Sequence, residues 1–235
     1  MPMPITAGLR AELVFDGAYL LSLWILAFSL RRQLARLAMP LRWSAAPLVL
    51  AFTLLAIGDS AHVGLRFVAL ATGRLPEGWI GYGGLATAIT VTLFDLLLVQ
   101  GHQRLNQTGW GSLPRLLLTL ALVRLILLLP PQNDWAAAVP PQPWSLLRNL
   151  PLVALTLGVG WLYLRTLGLT QQWQRVIGVL LVASALCHLP VTLWIQQQPL
   201  LALLMIPKSL AYLACGLVLQ RRLQRSLWMA PASFR

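Results

Sequence analysis

Residues 46–71, APLVLAFTLLAIGDSAHVGLRFVALA, decide the fold. Most of the stretch is apolar, and at about 1.5 Å per residue a helix of this length crosses the roughly 30 Å of a bilayer's hydrocarbon. Inside it stand Asp59, His62 and Arg66, spaced three and four residues apart and therefore stacked on one face of a helix. A helix that is apolar except for one ionisable stripe turns that stripe away from lipid and toward other helices. The stretch thus implies a membrane and a bundle together.

The remainder of the chain agrees. Of 235 residues, 58% are hydrophobic and 10% charged, with a mean hydropathy of +0.72, whereas soluble domains keep about a quarter of their residues charged. The net charge of +12 does not point to nucleic acid, because the basic residues lie in short segments between apolar runs and form no single soluble face. Seven apolar segments of near-spanning length are predicted at about 12–30, 46–71, 81–101, 113–129, 145–166, 173–196 and 199–220. They must be helices, since backbone in lipid has to satisfy its own hydrogen bonds and the alternation of barrel strands is absent. No repeat, Ser/Gly-rich linker or soluble domain is visible. The expectation is an all-α polytopic protein with one seven-helix transmembrane domain over 1–235.

Charge gives the orientation. Twelve of the 18 Lys and Arg fall on one side: Arg31, Arg32, Arg36, Arg42, Arg104, Arg115, Arg165, Arg175, Arg221, Arg222, Arg225 and Arg235. The other side has Arg10, Arg74 and Arg148, with Glu12, Glu77 and Asp134. The positive-inside rule then places the amino terminus outside and the carboxyl terminus in the cytoplasm. The first apolar run lacks a basic n-region and a small-residue cleavage site, so it reads as the first helix and not as a signal peptide. A multi-pass protein of a bacterial inner (plasma) membrane is expected. On the outer side, PPQNDWAAAVPPQPW (130–144) reads as an interfacial cap. Gly81, Gly83, Gly84, Gly158 and Gly160 read as close-packing sites.

The ionisable residues inside the apolar segments carry the functional information. Each charged side chain at mid-helix costs about 2.5–3.5 kcal/mol even on a lenient scale, so such groups meet one another. Counting along the segments puts Asp59 and Lys208 near the middle or slightly outward, with His62, Arg66 and His188 beyond them. Arg124 lies outward of centre, while Arg148, Asn149 and Asp16 come near the outer rim. A polar cavity in the outer half follows. Its cations, Arg66, Arg124, Arg148 and Lys208, outnumber Asp16 and Asp59, which favours an anionic and amphiphilic ligand. Plainer roles stand beside this: Asp59 and Lys208 as a structural ion pair, either histidine capping a carbonyl, and Arg66 and Arg148 snorkelling. Asp95 has no evident cation at its depth. His102 ends the third segment about 20 Å from the level of His62, so a three-histidine zinc site is not supported. No metal or cofactor is assigned.

Four motifs carry a resemblance. GDSAHVGLR (58–66), PQNDW (131–135), LLRNLP (146–151) and LLMIPKSLAY (203–212) resemble, in that order, the patterns GDxxHxxxR, PQNxW, RNxP and MIPK[ST]xAY of an uncharacterised family of bacterial seven-helix integral membrane proteins. The likeness covers about residues 55–215. It implies that Asp59, His62, Arg66, Gln132, Asn133, Arg148, Asn149, Lys208 and Tyr212 occupy patterned positions, and it implies no activity. Gly64 and Leu65 stand where the family pattern has a proline. A remoter likeness is to the superfamily of alkaline ceramidases and adiponectin receptors. Its zinc histidines have no counterpart in PKSLAY on the last segment.

Two function classes remain. One is a membrane-embedded enzyme acting on a lipid-like or isoprenoid-like amphiphile, with Asp59, His62, His188 and Lys208 as catalytic candidates. Its ligand-binding candidates are Arg66, Arg124, Arg148 and Asn149, joined through the resemblance by Gln132, Asn133 and Tyr212. General acid–base work suits titratable groups in a partly dry pocket. No nucleophile stands out, since helix serines such as Ser60 usually bond their own backbone. The other class is a non-catalytic receptor, sensor or transporter for an anionic small molecule, including a retinal-type Schiff base on Lys208 with Asp59 as counterion. A transporter would show broken helices, and Pro190 and Pro207 are the places to look. In either class the partners are membrane lipids and an anionic amphiphile, with no nucleic acid.

Overall fold

A computed structural model describes residues 7–72, 78–137, 140–168 and 171–229. Arg74, Glu77 and Arg235 lie outside the described residues, as do the side chains of Arg10 and Glu12 and residues 138–139 of the cap. The described residues contain seven α-helices and no strand: α1 (Ala7–Arg36), α2 (Met39–Thr72), α3 (Trp79–Asn106), α4 (Ser112–Leu127), α5 (Trp144–Leu164), α6 (Gln172–Trp194) and α7 (Met205–Met229). Short 3-10 turns cover Pro131–Asn133 and Pro199–Leu204.

All seven apolar segments are helical, but their lengths differ in a way that matters. α1, α2, α3, α5, α6 and the Pro199–Trp228 stretch ending in α7 are long and apolar enough to cross a membrane. α4 has 16 residues, about 24 Å, which falls short of the roughly 30 Å hydrocarbon layer. Breakers at both ends confine it. Gly109 and Gly111 precede it, and the pair Pro130–Pro131 follows, forcing the preceding backbone out of the helical region. At the arginine-rich end, by contrast, α1 and α7 run well past the apolar segments. No Gly or Pro interrupts 31–36 or 221–229, and arginine is a good helix former. α6 continues unbroken through Pro190 to Trp194. Pro207 falls in the first turn of α7, where its missing N–H costs no intrahelical bond.

Each helix packs on the next in sequence, α7 closes back on α1, and α3 also touches α5. The result is a ring with α3 drawn inward. Lipid offers little hydrophobic drive for such association, so close packing of small residues supplies it. A methyl group added at Gly83 would stand 2.2 Å from the Ala61 carbonyl oxygen of α2, and one at Gly58 would stand 1.8 Å from Thr90 Oγ1 of α3. The α2 and α3 backbones therefore nearly touch. Gly160 of α5 and Gly178 of α6 do the same, an added methyl on either coming within 3.1 Å of the other's carbonyl oxygen. Between these contacts an aromatic chain crosses the core, with Phe94 of α3 edge-on to Phe52 of α2 and to Tyr212 of α7, both at 5.3 Å.

The two ends of the bundle are held separately. At the arginine-rich end Arg104 donates to the Trp43 carbonyl at 3.1 Å and lies 3.9 Å over its ring, and Gln220 donates to Ser29 at 2.6 Å. At the opposite end Gln196 donates to the Pro140 carbonyl at 3.0 Å, tying the α6–α7 connection to the cap. Gly83→Val or Gly160→Val is expected to lose about 1–3 kcal/mol of stability through overpacking. Gly64→Ala, 3.9 Å from its nearest neighbour atom, should hold or gain stability. Thermal unfolding of the purified chain in detergent checks the contrast, and equal losses at all three sites would contradict the packing account.

Candidate functional site

The site is built in levels, starting at the middle of the bundle. Asp95 of α3 is fully buried, and its Oδ2 accepts a hydrogen bond from Thr156 Oγ1 of α5 at 2.7 Å. Tyr212 of α7 reaches Thr156 and also Ser184 of α6. Arg124 of α4, 2% exposed, fills the same level. It donates to Thr92 Oγ1 at 2.5 Å, to the Ala88 carbonyl at 3.0 Å and, through Nε, to the Arg148 carbonyl at 3.2 Å.

One turn toward the opposite end, i to i+4 spacing lifts Ser184 to His188 on α6 and Tyr212 to Lys208 on α7. Asp59 of α2 lies here, 8% exposed, and its Oδ2 accepts from Tyr19 of α1 at 2.5 Å. Asp59's contact partner is thus a tyrosine, and the Lys208 ammonium acts on it from longer range. Lys208 is within electrostatic reach of Asp59, Asp95 and Arg124, and of His62 and His188. The next turn holds His62, whose Nδ1 donates to the Ile80 carbonyl at 3.3 Å. Arg66, exposed, lies one turn beyond.

Asp59, His62 and His188 therefore lie within electrostatic reach of Lys208, and Tyr212 stands one turn from it on α7. The arginines and amides of the PQNDW and RN motifs do something different. Arg148 donates to Asn133 Oδ1 at 3.0 Å and lies 4.0 Å over the Trp135 ring. Fully buried Asn133 donates to the Leu127 and Pro130 carbonyls at 2.9 and 3.0 Å, satisfying the end of α4. Asn149 donates to Ser145 of its own helix at 2.9 Å, and Gln132 is exposed in the turn. These residues form a clasp that holds the cap on the bundle. Of the ligand-binding candidates, Arg124 and Arg148 aim hydrogen bonds at protein carbonyls, so their charge reaches the site as potential more than as open donors.

Four participants had no place in the sequence reading: Tyr19, Thr92, Thr156 and Ser184. Their hydroxyls lie at the same depths as the charges, and that depth is the signal that marks them in the sequence. Asp95, read as lacking a cation, has Arg124 and Lys208 within electrostatic reach. Both side chains are longer than a helical turn, so Cα depth misplaces their charge. Ser60 bonds the Ala56 carbonyl at 2.7 Å and accepts from Trp24 at 2.9 Å, a packing role.

The chemistry lies in what the protein leaves unpaired. Asp95 Oδ1 and both ring nitrogens of His188 are buried without a protein partner. Each such group costs about 1–3 kcal/mol, and an unpaired buried polar group calls for an explanation. Among the described residues, no three His, Cys, Asp or Glu side chains are grouped so as to hold a metal. His102 stands apart at the arginine-rich end, 2.9 Å from Thr166 Oγ1.

No protein family, curated protein or solved structure matches the chain. Tyr19→Phe is expected to cost about 2 kcal/mol, the value of a hydrogen bond to a charged group. Asn149→Ala should stay within about 0.5 kcal/mol. Chemical unfolding of the two variants compares them directly, and a smaller loss for Tyr19→Phe would remove the tyrosine as the group that holds Asp59.

Proposed function

We propose that this chain is a membrane-embedded enzyme with seven spans, the amino terminus outside and the carboxyl terminus in the cytoplasm of a bacterial plasma membrane. Its substrate is a lipid-like or isoprenoid-like amphiphile bearing an anionic group. The observation that carries the reading is the set of buried, protein-unpaired polar atoms on Asp95 and His188 within electrostatic reach of Lys208. A cluster that served packing alone would have its polar groups satisfied, because partly satisfied networks are the costly kind. His188, whose two ring nitrogens bond no protein group, is the residue suited to take and return a proton. Lys208 presents a positive charge to the anionic group. Asp59, held by Tyr19, and Asp95, held by Thr156, keep that charge from standing alone. Arg66, Arg124 and Arg148 add the positive potential that draws an anion to this half of the bundle.

The test compares lipid extracts of cells carrying no protein, the natural chain, His188→Ala or Lys208→Met. A lipid species that changes with the natural chain and reverts with both variants is the expected result, and identical profiles with and without the natural chain overturn the reading. Lys208→Met should lower stability, since it takes away a cation in the electrostatic reach of the buried Asp59 and Asp95. For orientation, a carboxyl-terminal fluorescent-protein fusion should fluoresce and the matching alkaline-phosphatase fusion should be silent. The reverse pattern reverses the topology.

A second reading has one observation of its own: Lys208 is the chain's only lysine, and it lies beside two carboxylates. That arrangement suits a receptor or sensor that binds a carbonyl ligand such as retinal as a Schiff base. Absence of visible absorption after reconstitution with retinal removes it.

A further inference from the structure

The outward-facing stripes of α1 and α7 end alike. On α1 the exposed positions Leu21, Ile25 and Phe28 are followed, at helical spacing, by exposed Arg32 and Arg36. On α7 exposed Leu210 and Leu217 are followed by exposed Arg221 and Arg225, with Trp228 at 80% exposure one turn further. Each stripe therefore passes from side chains suited to acyl chains to a pair of guanidiniums on the same face.

The two stripes are neighbours. A methyl group added at Gly216 of α7 would stand 2.3 Å from Leu26 Cδ2 of α1, and one turn on Gln220 donates to Ser29 Oγ at 2.6 Å. Both contacts step along the helices in the same direction, so α1 and α7 run parallel, about 8–10 Å apart, into the arginine-rich end. At about 1.5 Å per residue, Arg221 and Arg32 lie within about 5 Å beyond the Ser29–Gln220 contact, and Arg225 and Arg36 within about 11 Å. That interval spans the head-group layer, which is about 5–8 Å thick on each side of the hydrocarbon. No carboxylate offsets these charges. The chain's six acidic residues are Glu12, Asp16, Asp59, Glu77, Asp95 and Asp134, so none lies on α7 or on α1 past Asp16.

We propose that the α1–α7 seam at this end is a docking surface for an anionic phospholipid, with its phosphate between Arg32 and Arg221 and its acyl chains along Phe28 and Leu217. Charge complementarity selects the occupant. Guanidiniums form paired hydrogen bonds with phosphate oxygens, and arginines clustered just past a spanning helix attract anionic head groups. The apolar run leading into each arginine pair favours a lipid over a water-soluble polyanion. The surface stands apart from the site of Asp95, His188 and Lys208, and it depends neither on that chemistry nor on the direction in which the chain crosses.

Native mass spectrometry of the full chain in detergent, comparing phosphatidylglycerol with phosphatidylcholine, tests this. Two double variants remove the same charge from the same end of the bundle: Arg32→Gln with Arg221→Gln at the seam, and Arg115→Gln with Arg165→Gln at the start of α4 and the end of α5. All four side chains are exposed, so thermal unfolding without lipid should be unchanged. Phosphatidylglycerol should bind the natural chain, bind the α4–α5 double variant within twofold of it, and bind the seam double variant at least tenfold more weakly. A seam variant within threefold of the natural chain, or an equal loss in both double variants, overturns the seam as the site. Phosphatidylcholine binding as tightly as phosphatidylglycerol, or displacement of phosphatidylglycerol by an equal concentration of inorganic phosphate or single-stranded RNA, overturns the anionic lipid as the occupant.

Discussion

The contact of α2 with α3 through Gly58 and Gly83 is the constraint from which the other arrangements follow. Gly83 lets the α3 backbone meet the Ala61 carbonyl of α2, and Gly58 makes room on α2 for the Thr90 side chain of α3. Together these contacts fix the rotation of α2 about its own axis. The rotation carries Asp59 to Tyr19 and His62 to the Ile80 carbonyl. In lipid the gain from such a crossing is dispersion and the absence of trapped polar groups, so its geometry matters more than its area. A β-carbon at either glycine would turn the ionisable stripe away from its partners. Packing and polar chemistry are therefore one problem in this bundle.

Arg124 and Arg148 show how a short α4 stays in place. Having 16 residues, it cannot rely on burial along a full span. Arg124 ties it to the α3 carbonyl of Ala88 and to Thr92, and also to the α5 carbonyl of Arg148. Arg148 in turn holds Asn133, which caps the carbonyls that α4 leaves open. The two guanidiniums thus serve structure first, and the electrostatic field of the site comes with them.

Polar groups are concentrated in two separate places, one at the middle and opposite half of the bundle and one at its arginine-rich end. The first gathers Asp59, Asp95, His188 and Lys208, and the second joins His102, Thr166, Asn106 and Gln174 through hydrogen bonds. The core between them, around Leu98, Leu155, Tyr163 and Leu181, is buried and almost wholly apolar. That insulation lets the two clusters differ in chemistry within one helical ring.

The sequence alone determined that the chain is helical, where the helices fall, and which few residues are too costly to face lipid. These are properties of composition and of 3.6-residue periodicity, local enough to read from residues 46–71 and their counterparts. It also singled out Asp59, His62, His188 and Lys208, because depth along a helix follows from counting. Which atom each of them meets was decided by the tertiary structure. Pairing of Asp59 with Tyr19, of Asp95 with Thr156, and of Arg148 with Asn133 joins residues 15 to 61 positions apart. Those pairings depend on helix rotation, and rotation is set by glycine contacts between neighbours that no single helix's pattern records.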